Sequence, residues 1–313
     1  MDALYNAAKP RVVAIGGPTA TGKTALSVAL AKRFGGEIIS ADSMQIYQGL
    51  DVGTAKVTPE EMQGVPHHLV GFLAPEQAFS VADFTALAGT LEADLSARGK
   101  LPILVGGTGL WLDAVVQGRT FAGGHAGGAV RRELQAQLAR EGIGPLLEEL
   151  RQVDPEAAER LHPADEKRIL RALEVYRETG KTISAHNAET RDLPPRYDAV
   201  WIGLQFRDRA DMKTLIDRRV DAMVAAGLLE EVGQLLESGL PREATALQAI
   251  GYKEFLGVLD GTATVEEAVA EVKLRSRQYA KRQLIWLRRN PAIHWMEWEK
   301  ERNFEQALQL STE

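Results

Sequence analysis

The stretch Arg11-Val-Val-Ala-Ile-Gly-Gly17-Pro18-Thr19-Ala20-Thr21-Gly22-Lys23-Thr24 runs from an apolar segment through a Gly/Pro/Thr turn and contains the pattern G-x-x-x-x-G-K-[ST]. Residues 11–15 read as a short buried strand, and the apolar-periodic run at 23–34 reads as a helix. A glycine-rich loop between strand and helix is the context in which this pattern holds phosphate. Its backbone N–H groups curl around phosphate oxygens and the helix start adds positive potential. Lys23 neutralises charge, and the Thr24 hydroxyl is a ligand for Mg²⁺. Phosphate or pyrophosphate is therefore the expected occupant of the loop from Gly17 to Thr24.

Outward from this loop, apolar runs at 37–40, 69–73 and 101–105 alternate with helical patterns. The clearest of these is 81–98, where Ser80 and Asp83 are spaced for a capping box. The alternation implies βαβ units, hence an α/β protein with a parallel sheet flanked by helices. The pattern changes at Thr120, where Phe121-Ala-Gly-Gly-His-Ala-Gly-Gly128 is too glycine-rich for a strand or helix and reads as a flexible hinge. Helical segments follow at 130–140, 145–152 and 164–179, with a short turn at 155–161. Leu193-Pro-Pro-Arg196 breaks the helices, and 198–205 returns as a strand. Helices are then expected at 208–226, 228–238, 251–259 and 265–287. The expected organisation is a P-loop NTPase-like core of residues 1–120 and 196–313 that carries an all-helical insertion at 121–195.

The composition is that of an ordinary globular chain: 313 residues, 45% hydrophobic and 26% charged. Lys and Arg total 37 against 43 Asp and Glu, a net charge of −6, which excludes a uniformly basic nucleic-acid coat. Any polyanion must meet a local basic patch. The chain has no cysteine, so disulfides, thiolate zinc sites and cysteine nucleophiles are excluded. No window is apolar for the 18 or so residues of a membrane span. A soluble, cytoplasmic protein without a membrane partner or an obligate protein partner is expected.

A nucleotide hydrolase would also carry a carboxylate after a second apolar strand to hold Mg²⁺. The run at 101–105 ends instead in Gly106-Gly-Thr-Gly109. The carboxylate that does follow an apolar strand is Asp42, in Ile38-Ile-Ser-Ala-Asp-Ser-Met-Gln45. Asp42 reads as a metal ligand or a base, with a turn or helix-capping role as the plainer alternative. Thr108 admits the same pair of readings, a hydroxyl at the site or a cap on the helix near Leu110. Gly106 and Gly107 suit close approach of a substrate to the backbone, or a plain strand-to-helix turn. Adjacent His67 and His68 on a strand point to opposite faces, which speaks against a shared metal ion.

Gly17-Pro-Thr-Ala-Thr-Gly-Lys-Thr24, Ala41-Asp-Ser-Met-Gln-Ile-Tyr47, Leu50-Asp-Val-Gly-Thr-Ala-Lys56 and Pro66-His-His-Leu69 together resemble the tRNA dimethylallyltransferase (isopentenyltransferase) family. The likeness continues through Gly106-Gly-Thr-Gly-Leu110, Leu161-His-Pro, Arg171-Ala-Leu-Glu-Val175, Ile250-Gly-Tyr-Lys-Glu254 and Arg277-Gln-Tyr-Ala-Lys-Arg-Gln283, nearly the whole chain. The resemblance implies that the loop holds the pyrophosphate of dimethylallyl diphosphate. It implies that the acceptor is the exocyclic N6 of the adenosine immediately 3′ of the anticodon in tRNA. By the same resemblance Asp42 takes the N6 proton as general base, Thr108 hydrogen-bonds near the reacting centre, and Arg219 joins Lys23 and Mg²⁺ at the leaving group. Contacts to tRNA are implied for Asp42, Ser43, Met44, Gln45, Gln248, Gly251, Tyr252, Lys253, Lys281, Arg282, Gln283, Trp286 and Arg288.

Between residues 271 and 290 seven basic residues stand against one acid. At 100° per residue Lys273, Arg277, Lys281 and Arg288 share a stripe suited to tracking a phosphate backbone. Interleaved Tyr279 and Trp286 read more readily as core than as contacts. Lys167, Arg168 and Arg171 in the insertion form a second basic group, expected to grip the anticodon stem-loop. The target base must leave its stack to be modified. Alternatives at this stage are an adenylate prenyltransferase, a P-loop kinase of a small metabolite, and a non-catalytic RNA-binding module.

Overall fold

The structure is a computed structural model that describes residues 9–121, 128–191 and 193–299. The glycine-rich segment read as a hinge falls almost entirely outside the described residues. The chain folds into two compact units, Met1–Val116 with Arg196–Glu313, and Gln117–Pro195.

The first unit is built on β1 (Arg11–Gly16), α1 (Lys23–Phe34), β2 (Glu37–Ser40), α2 (Pro59–Met62), β3 (His67–His68), α3 (Val81–Ala97), β4 (Pro102–Gly106) and α4 (Gly109–Gln117). The second unit holds α5 (Ala129–Glu141), α6 (Ile143–Val153), α7 (Pro155–Arg160), α8 (Glu166–Thr179) and α9 (Ile183–Arg191). The first unit resumes with β5 (Asp198–Phe206), α10 (Arg209–Ala225), α11 (Leu228–Glu237), α12 (Leu256–Leu259), α13 (Val265–Leu287) and β6 (Ile293–Trp298). The six strands form one parallel sheet in the order β3-β2-β4-β1-β5-β6.

β1 is buried from Val12 onward because helices cover both faces of the sheet, and alternate residues feed two cores. Val12 and Ala14 pack with Ile39, Leu104, Trp201 and side chains of α3, α4, α11 and α13 such as Phe84, Leu112, Val232 and Val272. Val13 and Ile15 pack with Ile38, Ile103, Ile202 and with Leu26 and Leu30 of α1. The Ser80–Asp83 capping box forms at the start of α3. The second unit has its own core around Leu134, Leu146, Leu150, Ile169 and Leu173. There the buried Asp154 caps α7 through Ala157 N (3.1 Å) and accepts from Ser184 N on α9 (3.0 Å).

Four expectations change. The third strand is His67–His68, not 69–73, because Leu69 takes a positive φ of 60° and ends the strand. The helix expected at 251–259 is broken: Gly251 sits at φ 101°, and only a short 3₁₀ turn and α12 follow. The turn at 155–161 is a helix, α7, with Asp154 as its N-cap. β6 was not foreseen, since 293–298 is a short edge strand and buries Ile293, Met296 and Trp298 without strict alternation.

Glu37 opens β2 almost wholly buried. Its carboxylate accepts from Arg98 Nη1 (2.7 Å) and Nη2 (3.3 Å) and meets His68 Nε2 at 2.7 Å. The Arg98 hydrogen bonds, with a smaller contribution from His68, hold its pKa down to about 2 against burial. A depressed carboxylate stabilises the fold above its unfolded pKa and loses that contribution as pH falls toward the folded value. The expected loss is about 2–3 kcal/mol as pH falls from about 4.5 toward 2. Chemical denaturation of Glu37→Gln across that range checks this, and a wild-type acid slope in the variant would remove Glu37 as its source.

Candidate active site

β2, β4 and β1 are neighbours, so the loops leaving their carboxyl ends emerge side by side, where ligands of open α/β sheets bind. The loop after β1 is the phosphate loop. Gly17 is required by close approach, since a Cβ there would lie 2.8 Å from the Leu204 carbonyl oxygen on β5. Gly22 takes φ 88° at the start of α1. Buried Thr21 donates to the Pro18 carbonyl (2.8 Å), and Trp298 Nε1 of β6 donates to the Thr21 carbonyl (2.9 Å), bracing the loop. Lys23 Nζ donates to the Pro18 carbonyl at 2.8 Å. Burial, then the Arg219 charge, lowers its pKa to about 8, with Asp42 acting in the opposite sense. Two cations crowded together with one carboxylate nearby form a place for an anion. Thr24 lies in the first turn of α1, its carbonyl accepting from Ser27 Oγ (2.9 Å).

The loop after β2 carries Asp42. Its Oδ1 accepts from Met44 N (3.0 Å) and Gln45 N (3.3 Å), an Asx-type turn that leaves Oδ2 out of these bonds. Asp42 is thus both a turn former and a residue of the cavity wall. The loop after β4 carries Thr108, whose hydroxyl accepts from Ser43 N (3.3 Å) and donates to Ser43 Oγ (3.5 Å). Only its carbonyl serves α4, accepting from Trp111 N and Leu112 N. The glycines beside it make room for neighbouring protein groups, and Gly106 and Gly107 also line the cavity. A Cβ on Gly106 would sit 2.0 Å from the Ala41 carbonyl, on Gly107 2.1 Å from Gln283 Nε2, and on Gly109 2.3 Å from Trp286 Cδ1.

These loops open on a cavity of about 390 Å³, closed by α10 and α13. α10 contributes Ile216, Arg219, Val220 and Met223, which share one helical face; α13 contributes Val272, Ser276, Tyr279, Arg282 and Gln283. Among the described residues Asp42 is the one carboxylate lining it. The lining is otherwise polar near Thr19, Lys23, Ser43 and Gln45 and apolar toward Met44, Val57 and Val70. His67 also lines it, with Nδ1 on the Val65 carbonyl (2.9 Å), whereas His68 turns to Glu37.

The residues expected to touch tRNA part company here. Ser43, Met44, Gln45, Gln248 and Arg282 line the cavity; Lys253 and Lys281 are exposed. Gly251 is buried at its left-handed turn, its N–H donating to Glu254 Oε2 (2.8 Å). Tyr252 has no exposure, and its hydroxyl donates to Glu231. Glu231 also accepts from the backbone N–H groups of Asp51 (2.9 Å), Val52 (2.7 Å) and Gly53 (3.1 Å). A Cβ on Gly53 would lie 2.5 Å from the Tyr252 ring, so these two sequence blocks are structural partners. Gln283 is buried: Nε2 donates to the Gly107 carbonyl (2.9 Å) and Oε1 accepts from Thr19 N (3.3 Å), bridging two loops. Trp286 packs on Gly109 and donates to Asp113 Oδ2 (2.7 Å). Arg288 donates to Gln205 Oε1 (2.9 Å). In the basic stripe, Lys273 pairs with Asp221 (2.5 Å) and Arg277 with Asp217 (2.7 Å), both on α10. In the second unit Lys167 is exposed, Arg168 lies 3.6 Å from Asp165, and Arg171 is 2.8 Å from the buried Glu174.

Two residues escaped the sequence reading. Tyr279 was read as core but lines the cavity; its distance of one helical turn from Gln283 was the available signal. Glu231, a single acid among many on an amphipathic helix, offered none.

A phosphate loop following a central strand of a parallel sheet, with a carboxylate and a hydroxyl at the ends of the neighbouring strands, defines a P-loop α/β protein. Two family models match, IPP transferase over residues 45–290 and isopentenyl transferase over residues 10–70, and the chain belongs to the IPP transferase family. It is 51% identical over 288 residues to a tRNA dimethylallyltransferase of Symbiobacterium thermophilum, covering 92% of this chain and 89% of the relative. It is 48% identical to that of Geobacillus thermodenitrificans, covering 92% and 90%. The crystal structure of the tRNA isopentenylpyrophosphate transferase from Bacillus halodurans is similar with a TM-score of 0.71 at 44% identity, covering 96% of this chain and 94% of that one. A eukaryotic dimethylallyltransferase acting on tRNA gives a TM-score of 0.78 at 29% identity, covering 92% and 74%. No helix among the described residues is long and apolar enough to cross a membrane.

Proposed function

We propose that this protein transfers the dimethylallyl group of dimethylallyl diphosphate to the exocyclic N6 of the adenosine immediately 3′ of the anticodon in tRNA, releasing pyrophosphate. The observation that carries this reading is the meeting of the phosphate loop, Arg219 and a single carboxylate, Asp42, in one cavity. The loop amides, Lys23 and Arg219 receive the diphosphate. N6 attacks the prenyl C1, the C1–O bond breaks, and its electron pair leaves with pyrophosphate toward these cations. The N6 proton passes to Asp42, while Thr108, held by Ser43, orients the reacting amine. Of the residues implied to contact tRNA, Ser43, Met44, Gln45, Gln248 and Arg282 suit the acceptor base, and Lys253 and Lys281 suit the surrounding backbone.

Mg²⁺ fits this site as a companion of the diphosphate. The Thr24 hydroxyl, in the first turn of α1 behind the phosphate loop, would hold it together with diphosphate oxygens and water. Bound there, it neutralises charge on the leaving group.

Labelled dimethylallyl diphosphate incubated with tRNA, with AMP, or replaced by ATP and a metabolite mixture tests the reading. Label is expected in tRNA alone; label in AMP points to an adenylate prenyltransferase, and ATP turnover to a kinase.

The ion pairs of α13 set a separate expectation for RNA binding. Lys281→Gln is expected to flatten the salt dependence of log affinity for tRNA by about 0.7–0.9. Lys273→Gln and Arg277→Gln are expected to lower the melting temperature instead, because their partners are Asp221 and Asp217. Filter binding from 50 to 200 mM salt, alongside thermal melts, separates the two groups. An unchanged slope in Lys281→Gln takes that residue out of the RNA interface.

A further inference from the structure

Ser43 adjoins the base Asp42, and its N–H and hydroxyl meet the Thr108 hydroxyl at 3.3 and 3.5 Å. On the other side of the cavity, Gln283 accepts from Thr19 N of the phosphate loop and donates to the Gly107 carbonyl. Tyr279 precedes Gln283 by one turn of α13 and lines the same cavity, where the Thr108 and Gln283 side chains lie beside its hydroxyl and oppose the upward shift of its pKa. We propose that Tyr279 is a positioning residue that couples Thr108 to the phosphate loop. Through it, Ser43–Thr108–Tyr279–Gln283–Thr19 form one polar chain from the acceptor side of the cavity to the donor side.

The physical reason lies in the reaction geometry. Transfer needs N6 and the prenyl C1 held about 3–3.5 Å apart and in line, and a misplacement of about 1 Å costs about 100-fold in rate. Asp42 and Thr108 stand on the loops after β2 and β4, whereas the diphosphate is held by the loop after β1. Neighbouring strands fix the roots of these loops but not their tips. Tyr279, on a 23-residue helix, stands in the wall of the cavity into which these loops open. Burial, and then the Asp42 charge, push the phenol up to about 12, so it stays protonated throughout the neutral range. Gln283 has no charge to lose. The chain is therefore insensitive to pH and differs in kind from the proton-accepting Asp42.

This inference rests on the prenyl-transfer reading, and the experiment distinguishes the two. Single-turnover transfer with tRNA and dimethylallyl diphosphate prebound is measured for wild type, Tyr279→Phe, Thr108→Val and the double variant, with dissociation constants for both substrates and melting temperatures. Phe keeps the ring, above which the Arg282 guanidinium lies 5.7 Å from the centroid. Tyr279→Phe is expected to slow transfer about tenfold, with both dissociation constants within twofold of wild type. The double variant is expected to be no slower than Thr108→Val, because a residue acting through Thr108 has nothing left to position once that hydroxyl is gone. A Tyr279→Phe rate within twofold of wild type overturns the proposal. So do losses that multiply in the double variant, or a loss confined to substrate affinity, while wild-type turnover leaves the prenyl-transfer reading standing. A wild-type protein that forms no prenylated tRNA overturns both.

Discussion

Asp42→Asn is expected to slow single-turnover prenyl transfer by about 10²- to 10⁴-fold, the usual consequence of losing a general base. Asparagine is the informative replacement because an amide oxygen can still accept from Met44 N and Gln45 N, as Oδ1 of Asp42 does. The turn after β2 survives, and with it the placement of Ser43 against Thr108. Affinity for tRNA is expected to stay within twofold, since the change removes a proton acceptor and leaves the cavity's shape. Rapid-quench measurement with both substrates prebound reads the chemical step directly. A rate within twofold of wild type would mean that the N6 proton leaves by another route. Asp42→Ala would add collapse of the turn, so a larger loss there than in Asp42→Asn measures how much of the base's worth lies in its placement.

Lys23→Met is expected to act at the other end of the reaction. The methionine side chain fills the same buried space without the ammonium, so the diphosphate loses one charge-assisted partner. Affinity for dimethylallyl diphosphate should fall by about 10- to 100-fold. The rate of transfer should fall further, by about 10²- to 10³-fold, because charge on the leaving group grows as the C1–O bond breaks and a preorganised cation counts most there. Stability should move the opposite way. Burial and the neighbouring Arg219 already disfavour the ammonium, which is why its pKa falls to about 8, so its removal should leave the melting temperature unchanged or higher. Calorimetric titration with the donor, single-turnover kinetics and a thermal melt provide the three readings. Unchanged donor affinity would place the diphosphate elsewhere.

Asp42 sits on a loop and Lys23 is the first residue of α1, with strands and helices as their support, and this division decides what could be read from the sequence. The strand–loop–helix at 11–34 was legible because its signals are local. Continuous apolar residues, glycines at a tight turn and a helical period each act over a few residues of chain. The placement of Asp42 and Thr108 was legible for a related reason, since each follows an apolar run of a βαβ pattern and parallel strands deliver their carboxyl ends to one edge of the sheet, while their roles were implied by the family resemblance alone. α13 was legible throughout its length because its helical period runs over 265–287, and the structure adds a capping box of Thr264 and Glu267 at its start.

What the sequence by itself determined was therefore the α/β class, the phosphate loop and the strand ends that border it. Only the tertiary structure decided which side of each element faces the cavity. Trp286 and Tyr279 lie seven residues apart on one helix; the first packs on Gly109 and hydrogen-bonds Asp113, while the second lines the site. Arg277 and Lys281 lie one turn apart, the first paired with Asp217 and the second exposed. Glycines 106 and 107 make room for Ala41 and Gln283, partners at separations of 65 and 176 residues along the chain. The physical reason is the same in each case. Hydrophobic periodicity specifies a buried face to within about one helical turn, but the partner across that face comes from a distant element, and whether it is a wall, an ion pair or a cavity depends on where packing brings that element.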